Sequence, residues 1–520
     1  MNDTPQSGSL PNTAKPIPPD PMDQDGGDVK ALAKGGRTNF LGFLLRLAAR
    51  LPFLYFAGRW YGPEALGRFA YAVLVVELVA QLATLGLKRG LAEQLSTTDR
   101  DPACVVWDGL LLALIVSLVA GGVLIAFPQL MFPNSEINGL DRFLPLIIFA
   151  ISGTDIALAA LAYRFDIGAT VRSRSVVEPW VISIAAFGFA FYSLRDGLIL
   201  SYVCAMLAAF ITALIPMFKS YGIPRGWSPH PVRLFAIARK NAPLAAADAI
   251  EWGSRRLDLA ILGLFASPAV VGIYYVAQQV ASLPQKLKTS FDPILGPVIT
   301  RNLKEGKLTE IAAQVSQVGF WIVAMQAGIA LALGIPGEGV MGLVGKEFVS
   351  GTGALAFLLA AEVVAATAVV SESVLVYIAR LKNLWISLAM LVLQAVLSVI
   401  LIQVVQTYLP DRPVVLGAAV AAGLMLALAF ASLVKARLLS KLLGASVNNW
   451  RWSLVTAAGL ATVVGFGFTY LPEWIELAVG IPCILGVYGW WIWTRGFGPD
   501  DRELFRRGSK TEEPDANPAP

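Results

Sequence analysis

Eleven ionisable side chains stand inside stretches that are otherwise apolar: Arg46, Arg50, Glu77, Asp155, Asp248, Glu251, Arg255, Arg256, Asp258, Glu362 and Glu372. A guanidinium keeps its charge when buried and grips phosphate oxygens bidentately, so the four arginines are candidates for holding an anion. The carboxylates are candidates for positioning those arginines or for answering a coupling ion. Arg46 and Arg50 share a helix face and have no acidic residue in their own stretch, which favours anion binding over internal pairing. Glu251 and Arg255 have the same spacing but can neutralise each other, so packing and function stand equally open for them. Steps of three, four and three put Asp248, Glu251, Arg255 and Asp258 on one stripe of a single helix. Gln278, Ser282 and Gln285 form a second polar stripe, which either lines a cavity or satisfies neighbouring helices. Glu362 and Glu372 are ten residues apart and do not share a face; each is a protonatable coupling site or a buried neutral carboxyl.

The background makes these charges informative. Of 520 residues 56% are hydrophobic and 15% charged, with a mean hydropathy of +0.64. A soluble domain carries about 25% charged residues. A charge at the centre of a membrane helix costs roughly 2.5–3.5 kcal/mol, so eleven facing lipid would cost on the order of 30 kcal/mol. They must face one another or a wet cavity. The net charge of +5 and pI near 9.0 are what loop charge bias gives a membrane protein, and nucleic acid is not indicated. The three cysteines are far apart with no CxxC, and the single histidine, His230, sits in a proline-rich polar loop. Metal clusters, thiol redox chemistry and a Ser-His-Asp triad are therefore not expected.

The elements that must position the charges are membrane helices. Fourteen apolar segments approach the ~20 residues a spanning helix needs: 39–58, 67–87, 104–127, 143–163, 175–194, 197–218, 241–265, 268–287, 313–334, 354–379, 383–408, 414–434, 452–471 and 473–494. The stretch 289–300, broken by Pro293 and Pro297, reads as interfacial. With both termini cytoplasmic, the inside loops hold 28 Lys/Arg and the outside loops only Arg59, Arg68, Arg142, Arg195, Lys346 and Arg412. That bias supports the helix number and the orientation together, because one helix more or fewer would invert every later loop. Trp60, Tyr61, Trp450, Trp452, Trp474, Trp490, Trp491 and Trp493 fall near span ends, as interface anchors rather than a carbohydrate platform. Residues 1–36 and 496–520 read as disordered cytoplasmic tails.

Pro63-x-x-x-Gly67-x-Phe69, after the first span, recurs 205 residues later as Pro268-x-x-x-Gly272-x-Tyr274, after the seventh. Both copies lie on the outer side, so the repeat is parallel. This divides the chain into a six-helix bundle over 37–218, a cytoplasmic linker over 219–240, a second six-helix bundle over 241–440 and two additional helices over 441–495. The same offset maps Arg46 and Arg50 onto Glu251 and Arg255, which suggests two walls of one central cavity.

Trp60 through Tyr71, Gly86-Leu87, Ser254-Arg255-Arg256-Leu257-Asp258, Gly272-Ile273-Tyr274 and Gly345-Lys346-Glu347-Phe348 resemble the polysaccharide-exporting (Wzx-like) branch of the multidrug/oligosaccharidyl-lipid/polysaccharide flippase superfamily. The resemblance covers roughly 37–495. It implies an all-α polytopic inner-membrane protein of about fourteen helices in two alternately opening bundles. The implied cargo is an undecaprenyl-diphosphate-linked oligosaccharide for O-antigen, capsule or exopolysaccharide. Related lipid-linked peptidoglycan flippases place helix 1 arginines in the cavity, and here Arg46 and Arg50 match that position. On this reading Arg46, Arg50, Arg255 and Arg256 meet the diphosphate. Asp248, Glu251, Asp258, Glu77, Asp155, Gln278, Gln285, Glu362 and Glu372 line the cavity or serve coupling. No catalytic residue and no cofactor is called for, with coupling to Na+, H+ or membrane potential left open. The implied partners are the lipid-linked substrate, membrane lipids and polysaccharide polymerase or assembly proteins. Seven central acids against four bases leave room for the alternative, a cation-coupled multidrug or small-molecule antiporter of the same superfamily. A membrane polymerase or glycosyltransferase is disfavoured, because no outside loop exceeds about twenty residues.

Overall fold

The computed structural model describes residues 48–224, 226–288, 302–303, 305–498 and 501. Arg46, the 289–300 segment, residues 1–36 and the side chain of Gln285 lie outside the described residues.

The first half runs α1 (48–56), α2 (Gly62–Ala83), α3 (Leu87–Thr97), α4 (Pro102–Ala126), α5 (Ile148–Tyr163), the short α6 (Ile167–Thr170), α7 (Glu178–Phe189) and α8 (Gly197–Tyr221). The second runs α9 (Pro231–Ser254), α10 (Leu257–Phe265), α11 (Pro268–Lys288), α12 (Leu308–Gly334), α13 (Gly337–Val344), α14 (Thr352–Ile378), α15 (Arg380–Tyr408) and α16 (Val415–Leu443). α17 (Trp452–Phe468) and α18 (Ile481–Trp491) follow. The described residues hold no strand, as expected where lipid offers no partner for an open backbone. α1 passes through a π-helical turn, Ala57–Tyr61, into α2, with the reversal taken at Gly62, φ 77°.

Over the described residues, each of the fourteen apolar segments coincides largely with helix. Nine helical runs among the described residues are long and apolar enough to cross a membrane, the first of them containing both α1 and α2. The segments that fall short carry the polar groups or are short: α7 with its charged lead-in, α9–α10, α11 and the 17-residue α17. The chain is a polytopic, all-helical membrane protein.

The apolar core shows where the halves meet. One large cluster draws on both, joining Phe69, Tyr71 and Tyr202 to Leu262, Val276 and Leu355. Two smaller clusters lie apart from each other: Leu87, Leu91, Ile156 and Met217 of the first half with Leu234 of α9, and Val315, Val374 and Leu439 of the second half with Leu454 of α17. These two lie at the end with the Lys/Arg-rich loops, here called the basic end. The halves thus share apolar core at the opposite end, while at the basic end α9 joins them through ion pairs to α3 and α4.

The repeated motif makes the junction at the shared core. α2 and α11 lie along one another. A Cβ on Gly67 would overlap the Pro268 carbonyl oxygen and sit 2.7 Å from the Gly272 nitrogen. A Cβ on Gly272 would overlap the Pro63 carbonyl oxygen and sit 2.9 Å from the Gly67 nitrogen. Each copy's glycine packs on the other copy's proline carbonyl, a small-residue contact of the kind that joins helices in lipid.

The helix expected over 241–265 is broken. α9 ends at Ser254 and α10 begins at Leu257, with Arg255 and Arg256 between them. Gly253-Ser254 is a weak point for a helix, and the two arginines turn to different partners. The single stripe of four charges does not exist: Asp248 and Glu251 lie on α9, and Asp258 faces another way.

Candidate functional site

The polar centre is built by helices from both halves. Arg256 pairs with Glu77 of α2 at 3.2 Å and stacks over the Trp252 ring at 5.1 Å. Glu77 also accepts a hydrogen bond from Tyr202 of α8 at 3.0 Å. The Tyr275 hydroxyl on α11 lies within electrostatic reach of Arg50, Arg256 and Glu77. Arg256 from the α9–α10 break thus belongs to one polar group with Glu77, Tyr202 and Trp252, drawn from both halves. Arg174, in the turn before α7, pairs with Asp155 of α5 and, at 2.8 Å, with Glu178. Lys88 lies 3.9 Å from the same Asp155. Arg50 is half-buried and Arg256 retains 35% side-chain exposure, so both cations can reach a wet space.

The other expected residues fall elsewhere. Arg255 is exposed and, among the described residues, pairs with Glu251 at 3.2 Å. Asp248 and Glu251 both bind Arg89 of α3, at 3.0 and 2.6 Å. Asp258 is buried and held by neutral donors: the Tyr274 hydroxyl at 2.6 Å and the Gln278 amide at 3.0 Å. Gln278 thus serves a buried carboxylate. Glu372 pairs with Lys435 of α16 at 3.0 Å, and Lys435, expected in a loop, is buried in the bundle. Glu362 is half-buried on α14. Tyr61 is also no interface anchor, since its buried hydroxyl donates to the Ala186 carbonyl at 2.6 Å.

Several residues escaped the sequence reading. Asp108 has a fully buried side chain that accepts from Arg100 (2.9 Å), Trp227 (2.8 Å) and Arg233 (3.0 Å), tying the linker and the start of α9 to α4. An aspartate four residues into an apolar span was the available signal. Asp501 binds Arg451 (2.7 Å), Trp321 (2.9 Å), Gln317 (3.0 Å) and the Gly498 N–H (2.9 Å). Ordered chain thus continues past residue 496. Burial pushes the Asp501 carboxyl up, but these donors outweigh it and hold the group below the ordinary aspartate range.

Comparison with known proteins bears on this arrangement. The profile of a family described as polysaccharide biosynthesis protein matches residues 38–302, just over half of the chain. The chain belongs to that family. The succinoglycan biosynthesis transport protein ExoT of Rhizobium meliloti is 23% identical over 294 residues, covering 52% of this chain and 57% of ExoT. The match therefore spans little more than half the length of that relative. The lipid II flippase MurJ in its inward closed conformation superposes with a TM-score of 0.65 at 13% identity, covering 91% of this chain and 100% of that one. A multidrug resistance MATE family transporter of the MOP superfamily, in an inward-facing conformation, gives 0.59 at 15% identity over 77% and 98%. At these identities the likeness establishes the fold. This polysaccharide biosynthesis family member is a multi-pass membrane protein with the MurJ/MATE fold, and its relatives are transporters.

Proposed function

We propose that this protein flips an undecaprenyl-diphosphate-linked oligosaccharide across the bacterial inner membrane for O-antigen, capsule or exopolysaccharide assembly. The carrying observation is that Arg256, in the break between α9 and α10, pairs across the halves with Glu77 and still keeps 35% side-chain exposure, and that Arg50 of α1, in the other half, is likewise only half-buried. Two fixed guanidinium groups that can both reach a wet space suit a diphosphate. Arg46 belongs to the same wall by its helical spacing from Arg50. On this reading the shared core opposite the basic end closes the cavity outward, and its cytoplasmic side is held by α9 against α3. Alternating access then parts the Gly67–Gly272 seam and the α9–α3 contact in turn, with both termini cytoplasmic and the two six-helix halves moving as units.

The test is transport of a defined lipid-linked sugar by proteoliposomes. Replacing both Arg50 and Arg256 by Ala removes two charge-assisted contacts, each contributing about 1.5–3 kcal/mol, so flipping falls at least a hundredfold at unchanged protein level. Unaltered flipping refutes the phosphate role. Asp258 favours a second reading: a buried carboxylate held only by neutral donors suits a transporter of small cations. Under that reading D258N abolishes drug resistance in a deletion strain while the arginine pair is dispensable.

A further inference from the structure

At the basic end α9 lies against α2, α3 and α4 of the first half as a strap. Its start is fixed to the first half: Arg233 holds Asp108, and Leu234 sits in that half's core. Beyond it, Gly86 and Gly90 of α3 let the strap approach closely, since a Cβ on Gly86 would lie 2.7 Å from the Ala245 nitrogen. Pro243 stands within the continuous helix, in the middle of this contact, and takes away one hydrogen bond of the ladder, a natural place to bend. Past Pro243, the ionic attachments of the strap to α3 converge on Arg89, whose Nε binds Asp248 at 3.0 Å and whose Nη2 binds Glu251 at 2.6 Å.

The three members of this clamp differ in exposure. Arg89 and Glu251 are about half exposed, at 54% and 50%, whereas the Asp248 side chain is 6% exposed and its second oxygen has no partner. An anion arriving from solvent can therefore reach the guanidinium and displace Glu251 with little penalty. Asp248 cannot lose Arg89 so easily, because a buried carboxylate stripped of its cation is strongly unfavourable. It must leave with the strap and become hydrated.

We infer that Arg89 is the entry site for the anionic diphosphate headgroup, and that its capture by that headgroup releases α9 at Pro243 and opens the cavity. Lys88, half exposed on the same turn, adds a second positive charge beside it. This rests on the flippase reading of the central arginines, but assigns a different residue and an earlier step.

Spin labels on Ala92→Cys in α3 and Ala247→Cys in α9, both exposed, with Cys104, Cys204 and Cys483 replaced by Ser, report the strap in nanodiscs. Farnesyl diphosphate is the probe and farnesol its uncharged control. Adding the diphosphate to the parent brings up a longer inter-label distance, and farnesol does not. R89Q shows the long distance without probe and binds farnesyl diphosphate about tenfold more weakly. R89K, which keeps the charge but cannot fork between two carboxylates, falls between the two. D248N still binds the probe but keeps the short distance, because a neutral amide removes the penalty that drives release. A parent that binds the diphosphate without lengthening, or an R89Q that binds it undiminished, overturns this inference and leaves the flippase reading standing. A parent that binds no diphosphate overturns both.

Discussion

A single methyl group at Gly272 should weaken the closure between the halves. The Cβ it introduces would overlap the Pro63 carbonyl oxygen and stand 2.9 Å from the Gly67 nitrogen, and both are backbone atoms that no side-chain rotation can move. Ordinary carbon contacts begin near 3.5 Å, so α2 and α11 must part by roughly 1–2 Å. Overpacking of this kind costs about 1–3 kcal/mol. That cost falls on the closed state alone, and it shifts the closed-to-open ratio by about 5- to 150-fold. Val271, 2% exposed beside the seam, is the reporter. With the native cysteines replaced, Val271→Cys should react slowly with a membrane-impermeant thiol reagent. In G272A it should react faster by a factor in that range, and G67A should behave alike because the contact is reciprocal. Gly122→Ala is the control, since a Cβ there meets nothing within 4 Å. If Val271→Cys stays as protected in G272A as in the parent, the seam is not the closure. If the melting temperature falls with no gain in reactivity, the methyl has damaged the fold instead, and the reasoning fails equally.

Removing the buried carboxylate in D108A leaves Arg100, Arg233 and Trp227 without their shared acceptor, and thermal melting in detergent should register a loss of about 3 kcal/mol. D258N keeps an acceptor for the Tyr274 hydroxyl and should cost about 1 kcal/mol, whereas D258L orphans Tyr274 and Gln278 at about 2–3 kcal/mol, measured the same way. Asp501 is depressed in the folded protein, so its contribution is complete above its unfolded value of about 3.9 and is lost as pH falls through the lower folded value. The melting temperatures of the parent and D501N should therefore differ at pH 7 and converge below about pH 4.

What the sequence revealed, and what it withheld, follows from the kind of information each feature needs. Helices were legible because a membrane span is a local property: some twenty apolar residues suffice, whatever they later touch. The Pro-x-x-x-Gly repeat was legible as a pattern, yet nothing in either copy says that Gly67 and Gly272 pack on one another. That fact belongs to the assembled pair. Charge partners were the least legible. Local spacing correctly joined Glu251 to Arg255, but it also joined Asp258 to them across a helix that breaks at Gly253-Ser254. The cation that holds Asp248 and also binds Glu251 lies more than 150 residues away on α3. Loop counting likewise placed Lys435 and Arg174 among the topology charges, although both are drawn into the bundle by carboxylates on other helices. A membrane interior amplifies this difference. Apolar surface is satisfied by lipid or by protein alike, so a helix can be recognised without knowing its neighbours. A buried charge is satisfied only by a particular partner, so its role is set wholly by tertiary structure. In this fold the residues that bear on function are therefore the ones whose meaning local sequence cannot carry.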